Sequence, residues 1–269
     1  MRRELPLLVL VLLVTAGCSL TNRLTFVRPN ADRGEVTQVA PVYDVGDKGR
    51  KATPMAANGL VMSAVSQYQA GNFDEAARLA QRALKADPAS ADAHSVLAMV
   101  SDHRGKASEA GAHYLKATSL APGAGTHANN YGIWLCGNGR ANESLGWFDR
   151  ALADPNYPTR AAALANAGTC AQRAGQSDRA EASWRLALAQ EPAERQSLAG
   201  MAALQFARGR YLDARAFAER WLAVVPEDPD ALQLASQIEL KLGDTSASAR
   251  YLHKLQALSP NAANAPRTQ

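Results

Sequence analysis

The stretch Asn129-Asn130-Tyr131-Gly132-Ile133-Trp134-Leu135-Cys136 sits inside a 34-residue unit running from Gly125 to Pro158. Gly132 and Leu135 mark where two helices must approach closely, and Gly139 ends the first of them. Phe148 and Ala151 fill the interface from the second helix. Pro155 stops that helix, because proline cannot continue it and pushes its predecessor out of the α region. The unit therefore reads as a helix, a tight turn and a returning helix.

Copies lie on both sides in phase, at a period expected of solenoids. The shared pattern has a small residue at the eighth position, Gly at the fifteenth, Ala at the twentieth and twenty-seventh, and Pro at the thirty-second. The first copy has Ala64, Gly71, Ala76, Ala83 and Pro88; the second has Ala98, Gly105, Ala110, Ala117 and Pro122. The third has Gly132, Gly139, Ser144 and Ala151, with its proline one residue early at Pro155. The fourth has Gly168, Gly175, Ala180, Ala187 and Pro192; the fifth has Ala202, Gly209, Ala214 and Pro226, with Trp221 where alanine is usual. The sixth has Ser236, Gly243, Ser248, Leu255 and Pro260. Glycine supplies the positive-φ turn, small residues let the helices cross closely, and large residues such as Tyr114, Phe148 and Trp184 plug the gap to the next copy. No pair buries its apolar face alone, so stacking makes the core. The pattern resembles the tetratricopeptide repeat. The fold class expected is all-α, a right-handed superhelix of six such repeats over residues 55–260. One irregularity interrupts it: Pro122 to Pro192 spans 70 residues, two more than two periods, and the excess falls in Asp154–Arg160 with its two prolines. That segment is expected to be a stiff, non-helical joint, with two three-repeat blocks meeting there.

The composition, 47% hydrophobic and only 6% aromatic, suits closely stacked helices. The net charge of +4 is dispersed, with no run of five Lys/Arg, which argues against nucleic acid as a partner. Residues 1–17 read as a processing segment: Arg2 and Arg3 precede an apolar stretch from Leu5 to Val14 that is too short to span a bilayer as an ordinary helix. Thr15-Ala16-Gly17-Cys18 then resembles a bacterial lipobox. That resemblance implies a diacylglycerol thioether and acyl group on Cys18, the only cofactor-like group expected. Ser19, in place of an aspartate, implies sorting to the periplasmic face of the outer membrane. Residues 18–54 are polar and aperiodic, and read as a flexible tether with an r.m.s. span of roughly 30–35 Å. Within it, Leu24-Thr25-Phe26-Val27 reads as either a mildly apolar piece of linker or a short docking strand. Residues 261–269 are expected to be disordered.

Two further cysteines, Cys136 and Cys170, lie 34 residues apart on the first helices of repeats three and four. In an oxidising periplasm such a pair is expected to bridge across the irregular joint, the alternative being two buried free thiols. Neither has ligands at metal spacing. The five histidines form no His-Glu-x-x-His pattern, and there is no Gly-x-Ser-x-Gly elbow or phosphate loop, so no catalytic chemistry is expected. His94 and His113 fall at packing positions.

The run Asn129–Cys136 resembles the Asn-Asn-Tyr-Gly-x-Phe-Leu-Cys hallmark of the type IV pilus biogenesis/stability lipoproteins, the PilF/PilW pilotin family. Ala151–Tyr157, Asn166–Cys170 and Gln237–Asp244 extend the likeness, which covers roughly Met55 to Pro260 and the signal. This sequence departs from the family at Trp134, in the phenylalanine slot, and at Ala231–Leu234, where a tryptophan is frequent. The resemblance implies a scaffold at the outer membrane whose partners are the type IV pilus secretin and other pilus assembly proteins. Two other readings stay open: a tetratricopeptide lipoprotein of tight-adherence pili, and a general scaffold for outer-membrane protein assembly. In tetratricopeptide arrays the first helices line the concave face. Here their second, fifth, ninth and twelfth positions give Val61, Val65, Tyr68, Ser95, Met99, Asn129, Ile133 and Phe206. That set is apolar rather than charged and suits an amphipathic helix or extended apolar segment. Tyr68 and Ile133 are its expected anchors, with packing between repeats as the competing role.

Overall fold

The computed structural model describes residues 54–258, all within one unit that starts at Arg50. The signal segment, Cys18 and Ser19, the tether with its Leu24–Val27 patch and the tail 261–269 lie outside the described residues. Twelve helices and no strand occur among the described residues. They form six antiparallel pairs: α1 (Pro54–Gln69) with α2 (Phe73–Ala86), α3 (Ala91–His103) with α4 (Ala107–Leu120), and α5 (Gly125–Gly137) with α6 (Ala141–Ala153). Then come α7 (Arg160–Arg173) with α8 (Ser177–Gln190), α9 (Arg195–Ala207) with α10 (Tyr211–Val224), and α11 (Pro229–Leu242) with α12 (Thr245–Leu258). Each pair packs on the next, giving the right-handed tetratricopeptide superhelix.

Local chemistry sets the boundaries. Gly139 and Gly243 turn their hairpins at φ of +77° and +87°, a region that β-carbon-bearing residues avoid. The same conformation recurs in the other four hairpins. Ser90, Glu194 and Asp228 accept hydrogen bonds from the first free N–H groups of α3, α9 and α11. Pro229 follows Asp228 in the first turn of α11, where its missing N–H costs nothing.

Close approach is visible at Gly132, where a β-carbon would meet Phe148 Cε1 at 3.0 Å. Phe148 itself is fully buried. Exposed ion pairs recur between repeats, Asp74 with Arg104, Asp149 with Arg179 and Asp178 with Arg208. They fix register more than they stabilise.

The segment between Ala153 and Arg160 is the non-helical, stiff joint expected, but it does not divide the array into two blocks. One core cluster runs from Cys136 and Phe148 through Cys170 and Trp184 to Trp221 and Ala231, straight across Asp154–Arg160. The reason lies in side chains that tie the segment down. Asp154 Oδ2 accepts from Gly125 N at 2.8 Å, and its Oδ1 accepts from Asn156 N at 2.9 Å. Arg160 Nη1 donates to the carbonyls of Leu152 at 2.8 Å and Asp154 at 3.1 Å. Tyr157 is buried against Gly125, whose missing β-carbon would lie 2.8 Å from its Cγ.

Candidate functional site

Two features stand out from the repeat scaffold. The first is covalent. Cys136 at the end of α5 is joined to Cys170 near the end of α7, with Cα atoms 5.8 Å apart and both side chains buried. Stacking of successive first helices brings the two Cα atoms within bridging range.

The second is a cleft of about 400 Å³ on the first helices of repeats one to three. Helix α1 contributes Val61, Met62 and Val65; α3 contributes Asp92, Ser95, Val96 and Met99; α5 contributes Thr126, His127 and Asn130. The cleft is apolar on the α1 side and polar on the α5 side. Met62 is 74% exposed, a large apolar side chain that the scaffold leaves uncovered.

The expected concave residues divide into two groups. Val61, Val65, Ser95 and Met99 line the cleft together, although Val61 is largely committed to the core. Tyr68, Asn129, Ile133 and Phe206 do not line it. Tyr68 packs edge-on against Phe73 with ring centroids 5.3 Å apart. Asn129 is buried and accepts from Asn166 Nδ2 at 3.4 Å, so it joins α5 to α7. Phe206 is half-buried in the core of repeats five and six. Ile133 is exposed at 44% on α5.

Beside the cleft, His127 is buried, with Nδ1 2.8 Å from Ser95 Oγ and Nε2 3.5 Å from Asp92 Oδ1. The carboxylate favours the proton on Nε2, so Nδ1 accepts from the Ser95 hydroxyl. The order is the reverse of a hydrolase triad, in which serine faces Nε2 and the acid faces Nδ1. Ser95 is itself buried within α3. The arrangement therefore orients side chains along α3 and α5.

Comparison with known proteins places this architecture. A tetratricopeptide-repeat family model matches residues 61–125. A solved structure of PilW, described as a widely conserved type IV pilus biogenesis factor, is 30% identical and superposes with a TM-score of 0.71. The alignment covers 78% of this chain and 95% of PilW. The chain belongs to the PilW family. The solved structure of Pseudomonas aeruginosa PilF is 25% identical with a TM-score of 0.72, covering 77% of this chain and 93% of PilF. The type IV pilus assembly protein PilF of that organism is 26% identical over 214 residues, 80% of this chain and 84% of PilF. MamA, at 14% identity and a TM-score of 0.56, shares the fold alone.

In this PilW-family chain the positional selection passed over Asp92 and Thr126, which hold the second position of repeats two and three, and missed Met62, Val96, His127 and Asn130, which lie beside the line. The rule marks one line along each helix, whereas a cleft among three helices is bounded by the flanks of each. Residues one position beside the line therefore face it too.

The histidines give the same region a pH dependence. His94 Nδ1 and His113 Nδ1 lie 3.0 Å apart across the α3–α4 hairpin. Burial holds the His94 pKa down, helped by His113 and Lys116. Burial also lowers His113 and His127, against the opposing pull of Glu109 and Asp92 respectively. With folded values below the unfolded one, the unfolded chain binds more protons once pH falls below about 6.5. Stability is therefore full above that point and is lost as pH drops through the folded values. Melting should fall between about pH 7.5 and pH 5, above the main carboxylate range. Replacing His94 and His113 together by Gln should flatten that slope. A wild-type melting temperature that stays constant over this window would exclude the effect.

Proposed function

We propose that this chain is a non-catalytic pilotin: lipidated at Cys18, held at the outer membrane, and binding the type IV pilus secretin to promote its localisation and multimer assembly. Membership of the PilW family supports the pilus role. The observation that carries the binding mode is the uncovered apolar wall of the α1–α3–α5 cleft, with Met62 and Val65 exposed or half-exposed on rigid helices. A short apolar segment of the secretin lies along that wall and continues beyond the cleft toward the exposed Ile133 of α5. Seating one such side chain contributes about 1.5–3 kcal/mol, or roughly 10- to 100-fold in affinity.

The test is secretin multimer assembly in cells, read on denaturing gels. Met62→Glu should reduce the multimer strongly and Ile133→Ser more weakly, both with unchanged helicity and melting. Cys18→Ala should leave the secretin monomeric or misplaced even with the cleft intact, and the variant itself should leave the outer-membrane fraction. Full multimer with Met62→Glu places the binding face elsewhere. Unchanged membrane recovery of Cys18→Ala removes the anchor.

A further inference from the structure

The cleft carries a charge its apolar wall does not need. Asp92 is the one charged side chain among the residues lining it, and no Lys or Arg joins it there. Its side chain is 68% exposed in the first turn of α3, at the polar side of the cleft. The Nε2 of His127, 3.5 Å from one carboxylate oxygen, holds it from the α5 side. That imidazole is buried and kept uncharged near neutral pH, so it does not cancel the carboxylate.

A partner seated on Met62 and Val65 takes water away from Asp92 on one side. A wholly neutral segment would then desolvate a carboxylate with nothing in return, and an acidic one would repel it. A cation offsets the loss. Resting on the secretin reading above, we propose that the segment bound in this cleft carries a Lys or Arg beside its apolar residues, and that Asp92 selects it.

The geometry also sets a spacing. Asp92 and Met99 are seven residues apart on α3, which at the helical rise is about 10 Å. The basic residue and the apolar residue that meets Met99 are thus about three positions apart in an extended segment, or about seven in a helix.

The probe is an array of overlapping peptides covering the periplasmic part of the secretin, tested against the full mature chain. Retained peptides should show a Lys or Arg at one of those spacings from an apolar residue. Asp92→Asn should weaken them about 3- to 10-fold and reduce their salt sensitivity. Asp92→Lys should abolish binding, and a peptide with its basic residue changed to Glu should restore it. Both variants should lose a little melting temperature with the first-turn carboxylate yet stay folded at the binding temperature, which separates recognition from folding. If Asp92→Asn retains the same peptides with the same affinity and salt response, the selection is refuted. The cleft itself survives that result provided Met62→Glu still abolishes retention. Peptides retained equally by Met62→Glu, or none retained by the parent chain, refute the docking mode and the selection with it.

Discussion

Trp184→Ala should cost about 3–5 kcal/mol, and with it roughly 6–20 °C of melting temperature for a domain of this size. The ring is buried in the largest core cluster, which spans repeats three to six. It fills a slot made by two glycines from successive first helices. A β-carbon on Gly168 would lie 2.5 Å from Trp184 Cδ1, and one on Gly200 would lie 2.4 Å from Cε2. Neither neighbour can close in on the gap left by alanine without shifting a whole helix, so the gap persists as a cavity. The converse change should also hurt: Gly200→Ala forces the trapped ring aside, at about 1–3 kcal/mol. The pair Trp184→Leu with Gly200→Ala should then be less damaging than the two costs added, because the smaller side chain makes room for the methyl. Thermal unfolding followed by circular dichroism measures the parent, Trp184→Ala, Trp184→Leu, Gly200→Ala and the double variant. A Trp184→Ala protein that melts with the parent would show that the slot is not what holds repeats four and five together.

This slot was half legible in the sequence. The period of small residues announced that large side chains must plug the gaps, and Trp184 stood at the expected position. Gly168 was visible as the small residue of the eighth position. Gly200 was not, because it faces the ring from the next repeat and belongs to no fixed position of the pattern. The same limit applies to the cleft. Val65 and Met99 follow from their helix positions, but Met62 and His127 lie off the line and enter only because three helices converge. The region Asp154–Arg160 is the non-helical joint its prolines announce, but its role as a block boundary was misread for a different reason. Two prolines break a helix wherever they occur, so local chemistry reads them as a joint. What holds that segment in place is the bond from Gly125 N to Asp154 Oδ2, between residues 29 apart. A contact of that range leaves no periodic trace.

Breaking the Cys136–Cys170 bridge should lower stability by about 3–4 kcal/mol and melting by roughly 6–16 °C. The bridge closes a loop of 34 residues that contains the whole of α6 and the proline segment. In the chain-entropy description, most of its effect comes from denying the unfolded chain its extended conformations. Both side chains are buried, so serine replacements would add a hydroxyl penalty of their own; alanine is the cleaner substitution. Reduction of the parent and the double change Cys136→Ala, Cys170→Ala should therefore agree closely, and labelling of the unreduced, denatured parent should find neither thiol free. The bridge spans the joint from α5 to α7, and the Asp154–Gly125 bond ties the joint itself back to α5. Without the bridge, the energy needed to open α5 from α7 rests on core packing, the Asn166–Asn129 hydrogen bond and the joint that Asp154 anchors to α5. Asp154→Ala should then lower melting more in the bridgeless chain than in the parent, a non-additivity that two independent sites would not show. The bridge holds α5 at Cys136, about 9 Å along the helix from Asn130 at the cleft. Its loss should leave peptide retention by the cleft intact at temperatures well below melting. A double alanine chain that melts with the oxidised parent would leave the bridge without a stabilising role, and the packing of Phe148 and Trp184 would then be sufficient to hold the joint.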